Sequence, residues 1–234
     1  MFLPYSLYVT RLIQATVAVS VICILLDNLF SLGLQQVLVL TPEFYASYFL
    51  WQPLTSLFLL ASNAISFGYL LDLGFLMLLL WMLGNQVVEF MGVRRFQLLY
   101  FGAAAAAAIT SLLVMYFTHT WSALSLLPAA LLGVATVWAM CSSSQTVLVY
   151  FFFPVPAKWC LAVALVGTIL TNVMQGDFVH AGAYAGAFVY SYLLGVMGWY
   201  LKGPYECLWR FDALLKRCAF RIKTFWQWWV RRGR

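Results

Sequence analysis

The chain has 234 residues, of which 65% are apolar, 18% aromatic and only 9% charged, with a formal net charge of +6. A soluble domain carries about 45–50% apolar and about 25% charged residues, so this composition excludes a cytosolic enzyme, a disordered chain, a collagen and a disulfide-stapled secreted domain. Because a membrane-spanning helix needs about 20 apolar residues, we expect an all-α integral membrane protein with at most six or seven spans.

Six apolar stretches, separated by short polar or proline- and glycine-bearing breaks, predict six transmembrane helices. They cover residues 10–31, 66–90, 96–117, 122–141, 156–174 and 178–200. The first is interpreted as a retained span, because no small-residue cleavage site follows it. Residues 1–200 are therefore predicted to form one membrane domain.

The stretch between the first two spans, residues 33–65, is too broken by Pro42 and Pro53 to be a span and too apolar to be a free loop. It is rich in aromatic residues such as Trp51. Because tyrosine and tryptophan rings favour the membrane–water interface, we predict an interfacial loop here.

All thirteen lysines and arginines fall on one side of the six predicted spans. Arg11, Arg94, Arg95 and Lys158 border the spans, and the other nine follow from Lys202 onward. Because basic loops stay on the cytoplasmic or matrix side, both termini are predicted there, which requires an even number of spans. The basic residues coincide with membrane edges, so nucleic-acid binding is not expected.

The last segment, residues 201–234, is predicted to form a basic, aromatic, amphipathic helix. Apolar residues at steps of three and four make one helical stripe: Leu208, Phe211, Leu215, Cys218, Ile222, Phe225 and Trp229. The residues predicted to bind lipid or a partner are Arg210, Lys216, Arg217, Arg221, Lys223, Trp226 and Trp229. Two interpretations stay open, a helix lying on anionic headgroups and a docking helix for a partner subunit.

The five cysteines are scattered and have no metal-ligand or redox spacing. They are Cys23, Cys141, Cys160, Cys207 and Cys218. We therefore expect them to serve as small apolar residues, and we expect neither a metal site nor a cofactor.

Four motifs follow one another between residues 40 and 200. They are Trp51-Gln-Pro-Leu-Thr-Ser-Leu-Phe58; Leu80-Trp-Met-Leu-Gly84 with Glu89, Gly92, Arg95-Phe96 and Tyr100; Phe153-Pro-Val-Pro-Ala-Lys-Trp159; and His180-Ala-Gly-Ala-Tyr-Ala-Gly186. In this order and spacing they resemble the motifs of the rhomboid superfamily and its derlin-like branches. The resemblance implies a six-helix rhomboid-like bundle.

Several of these positions also have a physical interpretation in helix packing. Glu89 and Arg95 are predicted to pair at the corner between the second and third spans, where Gly92 permits a tight turn. Gly182 and Gly186 give the sixth span a small-residue face that another helix can approach closely.

Rhomboid proteases cleave peptide bonds with a serine of a G-x-S-G-x-x-x-G motif on the fourth span, activated by a histidine on the sixth. When the motif is aligned on Gly133, Pro128 occupies the nucleophile position, and proline has neither a hydroxyl nor an N–H. His180 matches the histidine, but Asp72 lies near the family's oxyanion donors, where its carboxylate would repel an oxyanion. The resemblance thus implies an inactive member without catalytic residues.

Three alternatives remain open from the residues. Ser125 lies three residues, about 5 Å, from the nucleophile position, and with Ser122 it is a displaced candidate nucleophile for an active serine protease using His180. A derlin-like factor that handles client proteins is the second alternative. A small channel or transporter that uses Asp72 and His180 is the third.

We therefore expect a non-catalytic, rhomboid-like pseudoprotease that acts as a structural or accessory subunit of a larger membrane complex. Its expected partners are membrane lipids and other integral membrane subunits, and no small-molecule substrate is evident. The mitochondrial inner membrane is favoured over the bacterial inner membrane and the endoplasmic reticulum or Golgi, although no targeting signal indicates it.

Overall fold

The computed structural model describes residues 6–30, 33–41, 51–60, 66–120, 122–142, 146–149, 153–205 and 208–232. Its helices are α1 (Leu7–Phe30), α2 (Leu34–Leu38), α3 (Gln52–Thr55), α4 (Phe67–Met91), α5 (Val93–Thr118), α6 (Leu127–Cys141), α7 (Ala157–Met174), α8 (Phe178–Leu193) and α9 (Trp209–Arg232). A π-helical turn, Leu194–Gly198, continues α8. Two short antiparallel strands, β1 (Thr146–Val149) and β2 (Phe153–Pro156), lie between α6 and α7.

Five helices are long and apolar enough to cross a membrane, which fits a multi-pass membrane protein. They are α1, α4, α5, α7 and α8 together with its π-helical turn. The fourth predicted span, 122–141, differs from the prediction, because α6 has only 15 residues. At 1.5 Å per residue it measures about 22 Å, less than the hydrocarbon core of about 30 Å.

The residues before α6 are not helical because they pair with another part of the chain. Leu124 and Leu40 form an isolated antiparallel bridge, with backbone N–H···O distances of 2.9 and 3.3 Å. Pro128 then occupies the first turn of α6, where its missing N–H costs no helical hydrogen bond. The helix therefore begins five residues later than predicted.

The basic loops meet at one end of the bundle. The Ser6 N–H donates to the Asn85 side chain at 3.2 Å, which joins the start of α1 to the end of α4. The Tyr205 hydroxyl donates to the Lys158 carbonyl at 3.0 Å, which joins the segment after α8 to the start of α7. We call this the basic end, because Lys158 lies at the start of α7 and Arg94 at the start of α5.

The opposite end contains the end of α1 and the starts of α6 and α8. There the Asp27 carboxylate accepts the backbone N–H groups of Leu34 at 2.6 Å and Gln35 at 2.8 Å, which caps α2. The Ser20 hydroxyl donates to the Phe58 carbonyl at 2.9 Å. The Asp27 carboxylate therefore stabilises the start of α2.

The described parts of the predicted interfacial loop, residues 33–41 and 51–60, pack against the bundle through buried polar side chains. Gln52 and Ser56 are completely buried. The Gln52 amide donates to the Val37 carbonyl at 3.3 Å and to the Thr41 hydroxyl at 3.1 Å. Since these polar groups are satisfied inside the protein, the segment can enter the bundle. The prolines and aromatics of residues 42–50 lie outside the described residues.

The centre of the bundle is formed by α5, α6 and α8, which meet through small residues. A Cβ atom added at Gly133 would lie 2.6 Å from the Ala103 Cβ and 2.6 Å from the Ser191 Oγ. Close approach of this kind gives the van der Waals contact on which helix association in membranes depends. In contrast, α7 lies at the periphery, where only Ala157 and Leu161 of its residues are buried.

The C-terminal helix α9 is attached to the basic end. Leu215 packs against a small cluster of Met140, Tyr192 and Val196, whereas Phe211 is half exposed. The predicted apolar stripe is thus divided between contact with the bundle and the outer surface. The side chains of Ile222, Lys223 and residues 225–234 lie outside the described residues, so the predicted positions Lys223, Trp226 and Trp229 have no described contacts.

Candidate functional site

A polar cluster at the opposite end joins the loop before α6 to the start of α8. Asp177 caps α8, because its Oδ1 accepts the His180 backbone N–H at 3.1 Å. Its Oδ2 lies 2.7 Å from the His180 Nδ1. The Ser122 Oγ lies 3.4 Å from both the Asp177 Oδ2 and the His180 Nδ1. We call these three residues the capping cluster.

The charge of Asp177 is set by these contacts. Partial burial opposes ionisation of the carboxyl, but the hydrogen bonds from His180 and Ser122 outweigh it, so the pKa of Asp177 lies below its usual value. The carboxylate is therefore ionised at neutral pH. An anion at a helix N-terminus is stabilised by the helix dipole as well.

The geometry of the capping cluster differs from that of a catalytic triad. A triad places the carboxylate on one imidazole nitrogen and the nucleophilic hydroxyl on the other. Here Asp177 and Ser122 both approach the Nδ1 of His180. A proton on Nδ1 donates to the carboxylate, so that nitrogen has no lone pair for the hydroxyl proton. The 3.4 Å separation also exceeds the reach of about 2.6–3.2 Å that such a pair needs.

The predicted nucleophile positions on and before α6 have other roles. Ser125 is buried and donates its hydroxyl to the Leu59 carbonyl. Within the described ranges, the hydrogen bonds thus bring Ser122 to His180 and direct Ser125 to Leu59. Pro128 lies in the first turn of α6, and Gly133 is the point where α6 meets α5 and α8.

Two aspartates, Asp72 and Asp177, differ in their position relative to His180. The structure places Asp72, which the channel or transporter alternative would use, on an exposed face of α4. The carboxylate that contacts His180 is that of Asp177, at 2.7 Å. The sequence contains a signal for this contact, because an aspartate directly before an apolar helical stretch is a typical N-cap.

The corner between α4 and α5 contains the predicted pair of Glu89 and Arg95. Both side chains are exposed, and within the part of the chain that the structure describes Glu89 forms no ion pair with Arg94 or Arg95. Water solvates exposed charges well, so an ion pair at this corner would contribute little. Gly92 has φ of 83°, which a residue with a Cβ adopts only at a cost.

The glycines of α8 lie against α5. A Cβ added at Gly186 would lie 2.6 Å from the Thr110 Cγ2, and one added at Gly182 would lie 2.8 Å from the Val114 Cγ2. Both glycines therefore allow the backbones of α5 and α8 to lie closer together than a residue with a side chain would permit.

A second small-residue surface faces outward on α7 and consists of Ala164, Gly167 and Thr171, all exposed. We call it the outer groove. In the ranges that the structure describes, no atom outside its own helix backbone lies within 4 Å of a Cβ added at Gly167. Beside the groove runs a ridge of exposed large side chains, including Val163 and Leu170.

The start of α9 is held by one buried carboxylate. Asp212 is only 6% exposed. Its Oδ1 accepts the Tyr192 hydroxyl at 2.5 Å, and its Oδ2 accepts the Gly203 N–H at 3.1 Å. Nearby, the Arg210 guanidinium lies 5.6 Å from the centre of the Trp209 ring, within cation–π range.

The remaining described basic residues of α9 are Lys216, which is half-buried, and Arg217 and Arg221, which are exposed. Within the described residues, no three histidine, cysteine, aspartate or glutamate side chains converge as metal ligands.

Comparisons with known proteins identify no family for this chain. No protein-family model matches the chain, and no curated protein matches it. The resemblance to rhomboids therefore depends on the sequence motifs alone and stays a prediction.

Proposed function

We propose that this chain is a non-catalytic, rhomboid-like membrane protein that binds other integral membrane proteins as an accessory subunit. The observation that carries the proposal is the outer groove on α7. Glycine in a helix interior destabilises it by about 1 kcal/mol relative to alanine. At Gly133 and Gly186 close packing within the chain offsets that cost, whereas Gly167 has no such neighbour among the described residues.

A helix of a second membrane protein provides the missing contact. Small residues let transmembrane backbones approach closely, and a groove of small residues beside a ridge of large ones is the surface on which helices interlock. The outer groove and its ridge of Val163, Val166 and Leu170 provide both features. Lipid tails would fill the groove less completely than a complementary helix.

The capping cluster supports a non-catalytic role. Its three side chains bind one another, and Ser125 binds the Leu59 carbonyl. Their contacts therefore stabilise helix ends, and within the described residues no hydroxyl forms a hydrogen bond with the second imidazole nitrogen of His180. The proposal includes both termini on the cytoplasmic or matrix side, from the basic residues, and favours the mitochondrial inner membrane.

The proposal is tested by what copurifies with the full chain in mild detergent. Wild type is expected to retain other membrane subunits in fixed stoichiometry. Gly167→Leu would fill the outer groove and is expected to lower association by about 2 kcal/mol, or about thirty-fold, as at an interface hot spot. Gly74→Leu is the matched control, because Gly74 is also exposed on α4 with nothing described within 4 Å. Unlike Gly167 it lies among the exposed large side chains of Leu70, Leu71 and Leu78, so it is not part of a groove of small residues.

Equal retention of neighbours by wild type and Gly167→Leu would contradict the outer groove as the binding surface. A wild-type chain that purifies without any stoichiometric neighbour would contradict the accessory-subunit role. A varied, substoichiometric set of proteins would favour the derlin-like alternative, in which client proteins bind transiently.

The second candidate is an intramembrane serine protease, because the Ser122 hydroxyl lies beside the His180 imidazole, although at 3.4 Å the two groups would have to move closer for proton transfer. We expect no labelling by a serine-directed fluorophosphonate, since the imidazole Nδ1 is engaged by Asp177. Labelling that disappears in Ser122→Ala and persists in Ser125→Ala would establish Ser122 as a nucleophile. Labelling with the reverse dependence would establish Ser125, and either result would contradict the non-catalytic proposal.

A further inference from the structure

A pocket of about 340 Å³ opens at the basic end, between α9 and the segment that follows the π-helical turn. Its lining includes Lys202, Tyr205, Trp209, Asp212 and Lys216. Two of these residues are cationic and two are aromatic. Neither the outer groove nor the capping cluster contributes to the pocket, so it is a separate feature of the fold.

The walls of the pocket are fixed in place by Asp212. Its two carboxylate oxygens accept hydrogen bonds from Tyr192 on α8 and from the backbone of Gly203. A Cβ at Gly203 would collide with the Asp212 Oδ2 and would lie 2.8 Å from the Tyr192 Oη, so the segment lies directly against α9. The pocket is therefore preorganised and does not have to form when a ligand arrives.

The charge in the pocket is positive where a ligand can reach it. Lys202 is exposed and Lys216 is half-buried, and within the described residues neither forms an ion pair with a carboxylate. Asp212 lies one helical turn before Lys216, but it is nearly inaccessible and both its oxygens are directed to other partners. Among the described lining residues, the accessible charged groups are thus two ammonium donors, which bind a compact anion.

The position of the pocket indicates the source of that anion. The basic end carries the positive residues that border the predicted spans, and tryptophan and tyrosine rings such as those of Trp209 and Tyr205 favour the headgroup level of a membrane. Basic pockets at this level bind phosphorylated lipid headgroups. We propose that the pocket binds the phosphate group of an anionic phospholipid between Lys202 and Lys216, with Trp209 beside the glycerol region.

The test uses the full chain in phosphatidylcholine nanodiscs titrated with fluorescent phosphatidylglycerol. Lys202→Gln and Lys216→Gln are each expected to weaken binding about five-fold, and the double variant about thirty-fold, from the loss of one or two lysine contacts near the surface. Arg217→Gln and Arg221→Gln remove the same charge outside the pocket lining and are expected to weaken binding less than about two-fold. Thermal unfolding of each variant verifies that the fold is intact.

Three outcomes would overturn the proposal. Equal weakening by the arginine and lysine variants would mean diffuse attraction of anionic lipid to the whole helix. Unchanged binding in the folded double variant would mean that the pocket is not the site. Displacement of the fluorescent lipid by millimolar inorganic phosphate, with the same dependence on the two lysines, would assign the pocket to a soluble phosphate compound.

Discussion

Gly186→Leu is expected to prevent stable folding of the membrane domain. A Cβ at this position would overlap Thr110 on α5, lying 2.6 Å from its Cγ2 and 2.8 Å from its Cβ and still closer to its Oγ1. The Thr110 hydroxyl donates to the Ala106 carbonyl at 2.9 Å, and a β-branched side chain has few helical rotamers. Thr110 cannot turn aside, so we expect a loss of about 3 kcal/mol or more.

The measurement is the fraction of monodisperse protein in detergent and its midpoint of thermal unfolding. Gly167→Leu is the matched control, because it makes the same chemical change on a helix where the described neighbours leave space. Its stability is expected to stay within about 0.5 kcal/mol of wild type. A Gly186→Leu protein as stable as wild type would show that α5 and α8 do not pack at this distance.

Asp212→Ala is expected to release α9 from the bundle while leaving the helices of the membrane domain folded. The substitution removes the acceptor of the Tyr192 hydroxyl and of the Gly203 N–H. A hydrogen bond to a charged group contributes about 1.5–3 kcal/mol. We therefore expect local opening of α9 to become more favourable by about 3 kcal/mol, or about a hundred-fold.

Limited trypsin digestion measures this opening, because lysines and arginines are frequent in α9. Tyr192→Phe removes one of the two hydrogen bonds and is expected to give an intermediate increase in cleavage, about ten-fold. Asp72→Ala removes an exposed carboxylate and should cleave like wild type. Unchanged cleavage of Asp212→Ala would mean that the contacts of Leu215 are sufficient to hold α9 in place.

The long helices could be predicted because a membrane span is encoded in a continuous apolar run. The exception is instructive, since residues 122–126 are part of such a run and yet pair with the chain near Leu40. The burial of Gln52 likewise depends on acceptors at Val37 and Thr41. Partners that are distant in sequence leave no periodic signal, so neither feature was predictable.

In the candidate sites, too, local contacts could be predicted from the sequence and distant contacts could not. The cap of α8 could have been read from the spacing of Asp177 and His180, but the approach of Ser122, 55 positions before Asp177, could not. Glu89 and Arg95 have compatible charges, yet both side chains are solvated at an exposed corner. Opposite charges close in sequence therefore indicate a possible pair, whereas exposure decides whether it forms.

Because Asp212 ties α9 directly to Tyr192 on α8, the tail is not a loosely tethered extension. The start of α9 is joined through this carboxylate to α8, which packs against α5 at Gly186. A displacement of the start of α9 would therefore be transmitted first to the end of α8, through the hydrogen bond between Asp212 and Tyr192.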